Sequence, residues 1–502
     1  MLFADVVSTS AAVASTRSRT AKIEALTELI RALALDEIAP VVGFLIGTPR
    51  QGRIGVGWAT VATVDVDPAP GASLTIADLD LAIDTLEETR GEGSAATRRA
   101  ILLALLERAT ADEADFIRRL LTGELRQGAV DGLMADAAAR ASGVKPAEFR
   151  RALMLDGDLG RVAALARTGG TEALAAVRLE PLRAVLPMLA GSAADVDEAL
   201  TRTGLASVEW KLDGARVQVH RLGDEVRIFT RNRNDVTHRL ADVVDAVRAF
   251  PSDDFVLDGE ALGLDDDDRP QRFQESMSSF GADAARPDAT RLRALFFDCL
   301  RRDGIDLLDD PLRERRGHLV ELVGAAAVPA ITTDEADAAA GFLAEAITTG
   351  HEGVMVKAVG SRYEAGRRGK AWVKVKPVHT FDLVVLGAEW GHGRRRGWLS
   401  NLHLGARGVD GGLVMVGKTF KGLTDELLTW QTERLQELVE DDQGHTVFVR
   451  PELVVEIAVD GVQSSTRYPG GVALRFARVR RYRQDKRPDD ADTIDTVRAL
   501  LG

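Results

Sequence analysis

Cysteine is almost missing from this chain: Cys299 stands alone among 502 residues. A single thiol excludes an internal disulfide and any zinc module built on four cysteines. Long apolar runs are missing as well. The longest clean one, residues 100–106, falls far short of the ~20 residues that span a bilayer. Asp5 stands where an export signal would carry basic residues before an apolar core, so the expected location is the cytoplasm. Lysine is scarce, at ten of the 64 basic residues, and the other 54 are arginine. Four of those ten, Lys357, Lys370, Lys374 and Lys376, fall within twenty residues. An ammonium is a compact charge that can also lose its proton and become a nucleophile, which guanidinium cannot. The competing reading of such a cluster is a solvated face, so the surrounding motifs have to decide.

What is present describes a soluble globular chain, 45% hydrophobic and 28% charged. At ~100 to 200 residues per domain it has room for about three domains. Helical spacing recurs at Ile23, Leu26, Leu29, Ile30 and Leu33, and again as one pattern from Ile101 to Leu121, so the first ~180 residues read as mostly helical. Strand-like text follows at 208–220, 225–231, 255–262 and 292–298, interleaved with helical patterns at 240–250 and 336–348. That is an α+β middle domain. Beyond Pro377, short strands at 383–386, 402–406, 413–418, 447–450 and 454–459 predict a small β-barrel. The acidic run 265–268 reads as a solvated loop.

Two lysine motifs compete for a phosphate-handling role. Residues 412–419, GLVMVGKT, satisfy the P-loop pattern, but 413–416 read as strand where a P-loop needs a flexible loop, so a barrel strand is expected. Lys211-Leu212-Asp213-Gly214 lies at a strand end, just before a glycine-bearing turn. A lysine so placed projects into a cleft, where neighbouring cations favour the neutral amine that can attack phosphorus. Alone, K-x-D-G is a weak signal, and a surface lysine in a turn is its plain alternative. The ordered series behind it is not weak: Asp258-Gly259-Glu260, Phe296-Phe297-Asp298, Glu352 to Lys357, and Trp372-Val373-Lys374-Val375-Lys376. Strand alternation puts Trp372, Lys374 and Lys376 on one face against Val373 and Val375, the arrangement of a phosphate cradle.

At these residues the sequence resembles the ATP-dependent DNA ligases of the covalent nucleotidyltransferase superfamily, over nearly its whole length. The resemblance implies three domains: a helical DNA-binding domain at 1–185, an α+β nucleotidyltransferase domain at 186–377 and an OB-fold β-barrel at 378–502. It makes Lys211 the residue that becomes adenylylated. Glu209 would read the adenine edge, Phe297 would stack on the base, and Arg216, Arg231 and Glu260 would hold ribose and phosphate. Glu260 and Glu352 would also place Mg²⁺, while Arg368, Lys374 and Lys376 would bind phosphates. Residues 475–486, RFARVRRYRQDK, look like the family's last motif, with Arg483 and Lys486 closing over ATP. Residues 123–128 are the most recognisable stretch of the helical domain, and Arg126 is a candidate DNA contact.

The implied function is sealing of nicked double-stranded DNA by a monomer, in replication, repair or recombination, through a lysyl-AMP enzyme and an adenylylated 5′-phosphate. The chain's charge of −13 fits once it is localised, since residues 467–487 hold eight basic groups and one acid. An NAD-dependent relative would ordinarily carry a four-cysteine zinc module, which one cysteine cannot make. An RNA ligase or capping-type nucleotidyltransferase shares the core but leaves the leading helices unexplained. A non-enzymatic DNA-binding scaffold leaves Lys211, Glu260, Glu352 and Lys374 unexplained.

Overall fold

A computed structural model describes residues 1–52, 54–125, 131–264, 269–271, 292–365 and 368–501. The acidic run 265–268 and Arg126 lie outside these residues.

Among the described residues, ten helices fill the chain from residue 3 to 176. They share one apolar core in which Phe3 meets Phe116 edge-on at 5.4 Å and Phe44 at 6.4 Å. The single pattern expected over 100–121 is two helices, Ser94–Leu106 and Ala111–Thr122. A capping box breaks it: Glu113 accepts from the Thr110 amide at 2.8 Å while the Thr110 hydroxyl caps the Glu113 amide. The helical spacing runs through this break, which is why periodicity alone joins the two.

The middle region contains two five-stranded sheets. One has the order β1-β10-β9-β2-β8 and the other β4-β3-β5-β6-β7, where β1 is Leu189–Ser192, β2 Ala206–Lys211, β3 Ala215–Leu222, β4 Glu225–Thr230 and β5 Asp254–Gly263. The remainder are β6 Leu292–Arg302, β7 Ile305–Asp306, β8 Ala330–Thr333, β9 Gly353–Ala358 and β10 Arg368–Val375. The stretch 208–220 is therefore two strands in different sheets, and the turn 212–214 carries the chain from one to the other. A cleft forms where they meet. The helical region is not a loosely tethered appendage. Met154 and Leu155 pack into the same cluster as Tyr363 and Trp372, and Arg151 pairs with Asp309 at 2.5 Å.

The C-terminal region is strand-rich and is organised by one long strand, β11 (His379–Trp390). On one side it pairs with β12 (Leu399–Arg407), which pairs with β13 (Leu413–Thr419). On the other side it pairs with β16 (Val454–Val459) at its start and β15 (Thr446–Val449) at its end, so its two halves have different neighbours. Sharing of one bent strand is what lets a short sheet curl into a barrel. The expected P-loop decoy is indeed the strand β13. The helix Asp425–Glu437, absent from the sequence reading, covers β12, with Gln431 donating to the Leu399 carbonyl.

Candidate active site

Lys211 ends β2, so its ammonium emerges where the two sheets meet. Gly214 allows the turn to lie flat on β5. A Cβ there would stand 2.4 Å from the Ala261 carbonyl oxygen and 3.0 Å from Glu260 Cγ. Lys211 is also in register with Gly353 on β9, and its carbonyl accepts from the Glu352 amide at 3.1 Å. The same pairing brings the side chains together: Lys211 Nζ bonds Glu352 Oε2, and Lys376 Nζ bonds Oε1 at 2.8 Å. Burial pushes the Glu352 carboxyl up, but the two ammonium groups outweigh it and hold it below the ordinary range. Lys374 is lowered, first by burial and then by repulsion from Lys376 and Lys211. Glu260, facing the same lysine, is pushed up to about 7 by burial, against the pull of Lys211 and Arg216.

The alternation expected of β10 is present. Trp372, Lys374 and Lys376 line the cavity, while Val373 and Val375 are buried in the core behind it. Arg368 is the first residue of β10. Across the cleft, β6 sends Phe296 into one core and turns Phe297 toward the cavity. Glu209 is 1% exposed; its Oε2 lies 2.6 Å from Lys357 Nζ, and its Oε1 accepts from Ser207 at 2.9 Å. The Lys357 ammonium sits 4.5 Å from the Phe297 ring centre and 4.2 Å from that of Trp372. Burial, opposed by Glu209, lowers its pKa.

Several of the expected site residues are engaged by other groups or lie at the margin. Arg216 lines the cavity, but its guanidinium bonds both oxygens of Asp258, at 3.0 and 2.5 Å, and the Met188 carbonyl at 2.7 Å. It is a wall of the site, tied back further by Tyr363, whose hydroxyl donates to Asp258 at 2.7 Å. Arg231 lies at the exposed margin. Arg483 and Lys486 are not cavity residues in this arrangement. Both bind Asp382, at 2.9 and 2.6 Å, because the chain folds back after β19 (Arg478–Tyr482) and the Arg483 amide bonds the Val454 carbonyl.

The beginning of the same segment reaches the site instead. Arg475 pairs with Asp213 of the K-x-D-G turn at 3.0 Å, and Phe476 and Arg478 line the cavity with Lys421. Asp460 completes this wall, 3.6 Å from Lys376 and 3.4 Å from Arg478. Sequence reasoning missed Asp460 and Lys421, which sit in no motif. Asp213 and Arg475 lay inside quoted motifs without a role. Together the walls enclose 550 Å³, within the ~300–1,000 Å³ of small-molecule sites. A cavity lined by the aromatic rings of Phe297 and Trp372, a cluster of cations and one strand-end lysine can bind a nucleoside triphosphate and present its phosphorus to an amine.

Comparisons with known proteins identify the family of the chain. Three family models match in chain order: DNA ligase N terminus at 65–139, ATP dependent DNA ligase domain at 187–376 and ATP dependent DNA ligase C terminal region at 395–486. The chain belongs to the ATP-dependent DNA ligase family. A probable DNA ligase of Saccharopolyspora erythraea is 54% identical, over 100% of this chain and 98% of its own length. Another, of Pseudarthrobacter chlorophenolicus, is 55% identical over 100% of both. The solved structure Pmar-Lig_Pre shares the fold, with a TM-score of 0.65 over 95% of this chain and 99% of its own, at 19% identity.

Proposed function

We propose that this chain seals nicks in duplex DNA, using ATP and passing through a Lys211–AMP intermediate. The observation that carries the reading is the placement of Lys211: a strand-end ammonium inside the cavity, held on Glu352 with Lys376, facing the slot beside Phe297. Lys211 gives up a proton and attacks the α-phosphorus of ATP. An N–P bond forms, and the P–O bond to pyrophosphate breaks with its electron pair. AMP then passes to the 5′-phosphate at a nick, and the 3′-hydroxyl displaces it. Each displacement gathers negative charge on phosphate oxygens, which Lys374 and Lys376 are positioned to stabilise. Glu209, paired with Lys357 on the cavity wall, is placed to accept from the amino group of adenine.

Mg²⁺, when bound, would neutralise phosphate charge. The donor set fits a cation brought in on phosphates. Glu260 is a half-buried carboxyl on the cavity wall, beside the lysines that would hold phosphates. Such Mg²⁺ sites use one or two carboxylates plus the substrate's oxygens. Glu260 is the better ligand of the two expected, since Glu352 already serves two lysines.

In the same reading, residues 1–185 hold DNA, 186–377 carry the chemistry and 378–502 form an OB-fold that closes over ATP, in a monomer working in the cytoplasm. No described helix is long and apolar enough to cross a membrane. The test is mass spectrometry after incubation with Mg²⁺ and either ATP or GTP, followed by assay on a nicked duplex. AMP on Lys211 and joined strands are expected. GMP on Lys211 would indicate a capping enzyme, and no adduct a binding scaffold.

A further inference from the structure

The wall that the C-terminal region gives to the cavity carries three cations, Lys421, Arg475 and Arg478, and two of them are already committed. Arg475 pairs with Asp213 at 3.0 Å and Arg478 with Asp460 at 3.4 Å. Lys421 pairs with no carboxylate among the described residues. Its ammonium instead lies 5.3 Å from the centre of the Phe476 ring, and Phe476 lines the same cavity. An aromatic face holds an ammonium in place without cancelling its charge, so its donors stay available for an anion.

The backbone beneath Lys421 is fixed. Thr419, which ends β13, donates its hydroxyl to the Ala477 carbonyl at 2.5 Å and accepts from the Lys421 amide at 3.2 Å. The Lys421 carbonyl accepts from the Val479 amide at 2.9 Å. Gly422 has φ +83° and lies so close to β19 that a Cβ would stand 2.2 Å from the Val479 carbonyl oxygen. A long side chain on a loosely held loop loses much of its binding energy to ordering. Lys421 starts instead from a turn clamped onto the neighbouring strand.

We propose that Lys421 is a catalytic residue of the first step, the cation that receives the β- and γ-phosphates of ATP and stabilises pyrophosphate as it leaves. The proposal rests on the Lys211–AMP reading above. With the base beside Phe297 and the α-phosphorus at Lys211, the triphosphate tail runs on toward the wall that carries Lys421, because an in-line displacement puts the leaving group opposite the attacking amine. Lys374 and Lys376 serve the α-phosphate. As the Lys211 N–P bond forms, the P–O bond to pyrophosphate breaks and its electron pair stays on the bridging oxygen. Negative charge grows on the departing group, and Lys421 meets it as a protonated ammonium, moving no proton. Arg483 and Lys486, which Asp382 holds away from the cavity, leave this role open. The later steps release no pyrophosphate and do not call on Lys421.

The test uses the full chain stripped of AMP by pyrophosphate and verified by mass. Lys421→Met keeps the length of the side chain and removes its charge, while Lys421→Arg keeps the charge. Single-turnover labelling with ATP should be about ten- to a hundredfold slower in Lys421→Met and within about threefold of wild type in Lys421→Arg. Equilibrium binding, measured with Lys211→Ala also present so that no transfer follows, should show ATP weakened about tenfold by Lys421→Met and AMP unchanged, since AMP has no tail to lose. Joining of a nick supplied already adenylylated should stay within about twofold of wild type. A residue that merely held the fold would weaken ATP and AMP alike. Labelling of Lys421→Met at the wild-type rate overturns the proposal while the nucleophile stands. So does an equal loss on the adenylylated nick, which would place Lys421 on DNA. If wild type carries no AMP on Lys211, the underlying reading and the proposal fall together.

Discussion

Lys211 and Lys418 each belong to a lysine motif that suggests phosphate handling, and both rest on a glutamate, yet they differ in what surrounds that glutamate. Glu389, the partner of Lys418, also accepts from Asn401 at 2.6 Å and from His403 at 3.1 Å, so its oxygens are saturated by barrel neighbours. Lys418 sits within β13, and its backbone is committed to β12. Among the described residues, the Glu352 carboxylate pairs with two lysines, Lys211 and Lys376, and all three border a cavity. The first arrangement is closed and structural. The second has cations to spare for an incoming anion. A lysine motif therefore has meaning by its surroundings: Lys418, one residue short of the end of β13, is taken up by sheet neighbours, while Lys211, the last residue of β2, opens on the cavity.

The widest separation between the two should come from removing each ammonium. Lys211→Ala is expected to lose self-adenylylation and sealing with ATP to below about one thousandth of wild type. It should still join a nick supplied already adenylylated, since that step needs no lysine nucleophile. Lys418→Ala should adenylylate within about twofold of wild type, as it touches no reacting group. Gel detection of labelled AMP on both variants would check this, and a labelled Lys211→Ala would show the nucleophile to be elsewhere.

The contrast was half visible in the sequence. Strand periodicity correctly made 413–418 a barrel strand and placed Trp372, Lys374 and Lys376 on one face, because burial on one side of a sheet writes itself as a period of two. The ordered motifs come from both sheets and meet around one cavity. Partners brought from afar stayed hidden: Asp258 on Arg216, Asp460 on Lys376 and Asp382 on Arg483 are 42, 84 and 101 residues away in the chain, and no local pattern encodes such pairings. The two helices at 94–122 were a different loss. Thr110 and Glu113 printed a capping box plainly, and the periodic signal on either side masked it.

The intermediate effects sharpen the comparison on the acid and its surroundings. Glu352→Gln should slow adenylylation by about a hundredfold, because Lys211 and Lys376 lose the anion that spaces them. Glu389→Gln should leave the step nearly unchanged. In the closing segment, Arg475→Ala removes the tie to Asp213 and should slow adenylylation by about ten- to a hundredfold. Arg483→Ala, whose guanidinium serves Asp382, Glu456 and Asp485 within the C-terminal region, should cost that step less. Single-turnover rates with saturating ATP would rank the four. An Arg483 effect larger than that of Arg475 would mean that ATP is bound in a different docking of the C-terminal region.

The smallest expected effect is on stability, and it belongs to the structural cluster alone. Burial raises the Glu389 carboxyl, but hydrogen bonds from Lys418, His403 and Asn401 outweigh it and bring it from 4.5 to about 2. A carboxyl lowered in the folded state stabilises above its unfolded value and loses that contribution as pH falls toward the folded one. The window therefore runs from pH 4.5 down to about 2. His403 acts in the same direction at higher pH: burial lowers it, against the pull of Glu389, so acid protonates it more readily in the unfolded chain. Its share is lost first, as pH drops through its ordinary value of 6.5. With the cluster partly open to solvent, the Glu389 contribution is only about 0.5–1 kcal/mol. Urea midpoints of wild type and Glu389→Gln at pH 7, 5 and 3 would isolate it. The variant should be less stable at pH 7, with the gap to wild type unchanged at pH 5 except for the His403 share and clearly narrowed at pH 3; a constant gap across the series would mean that the cluster is held by packing and not by charge.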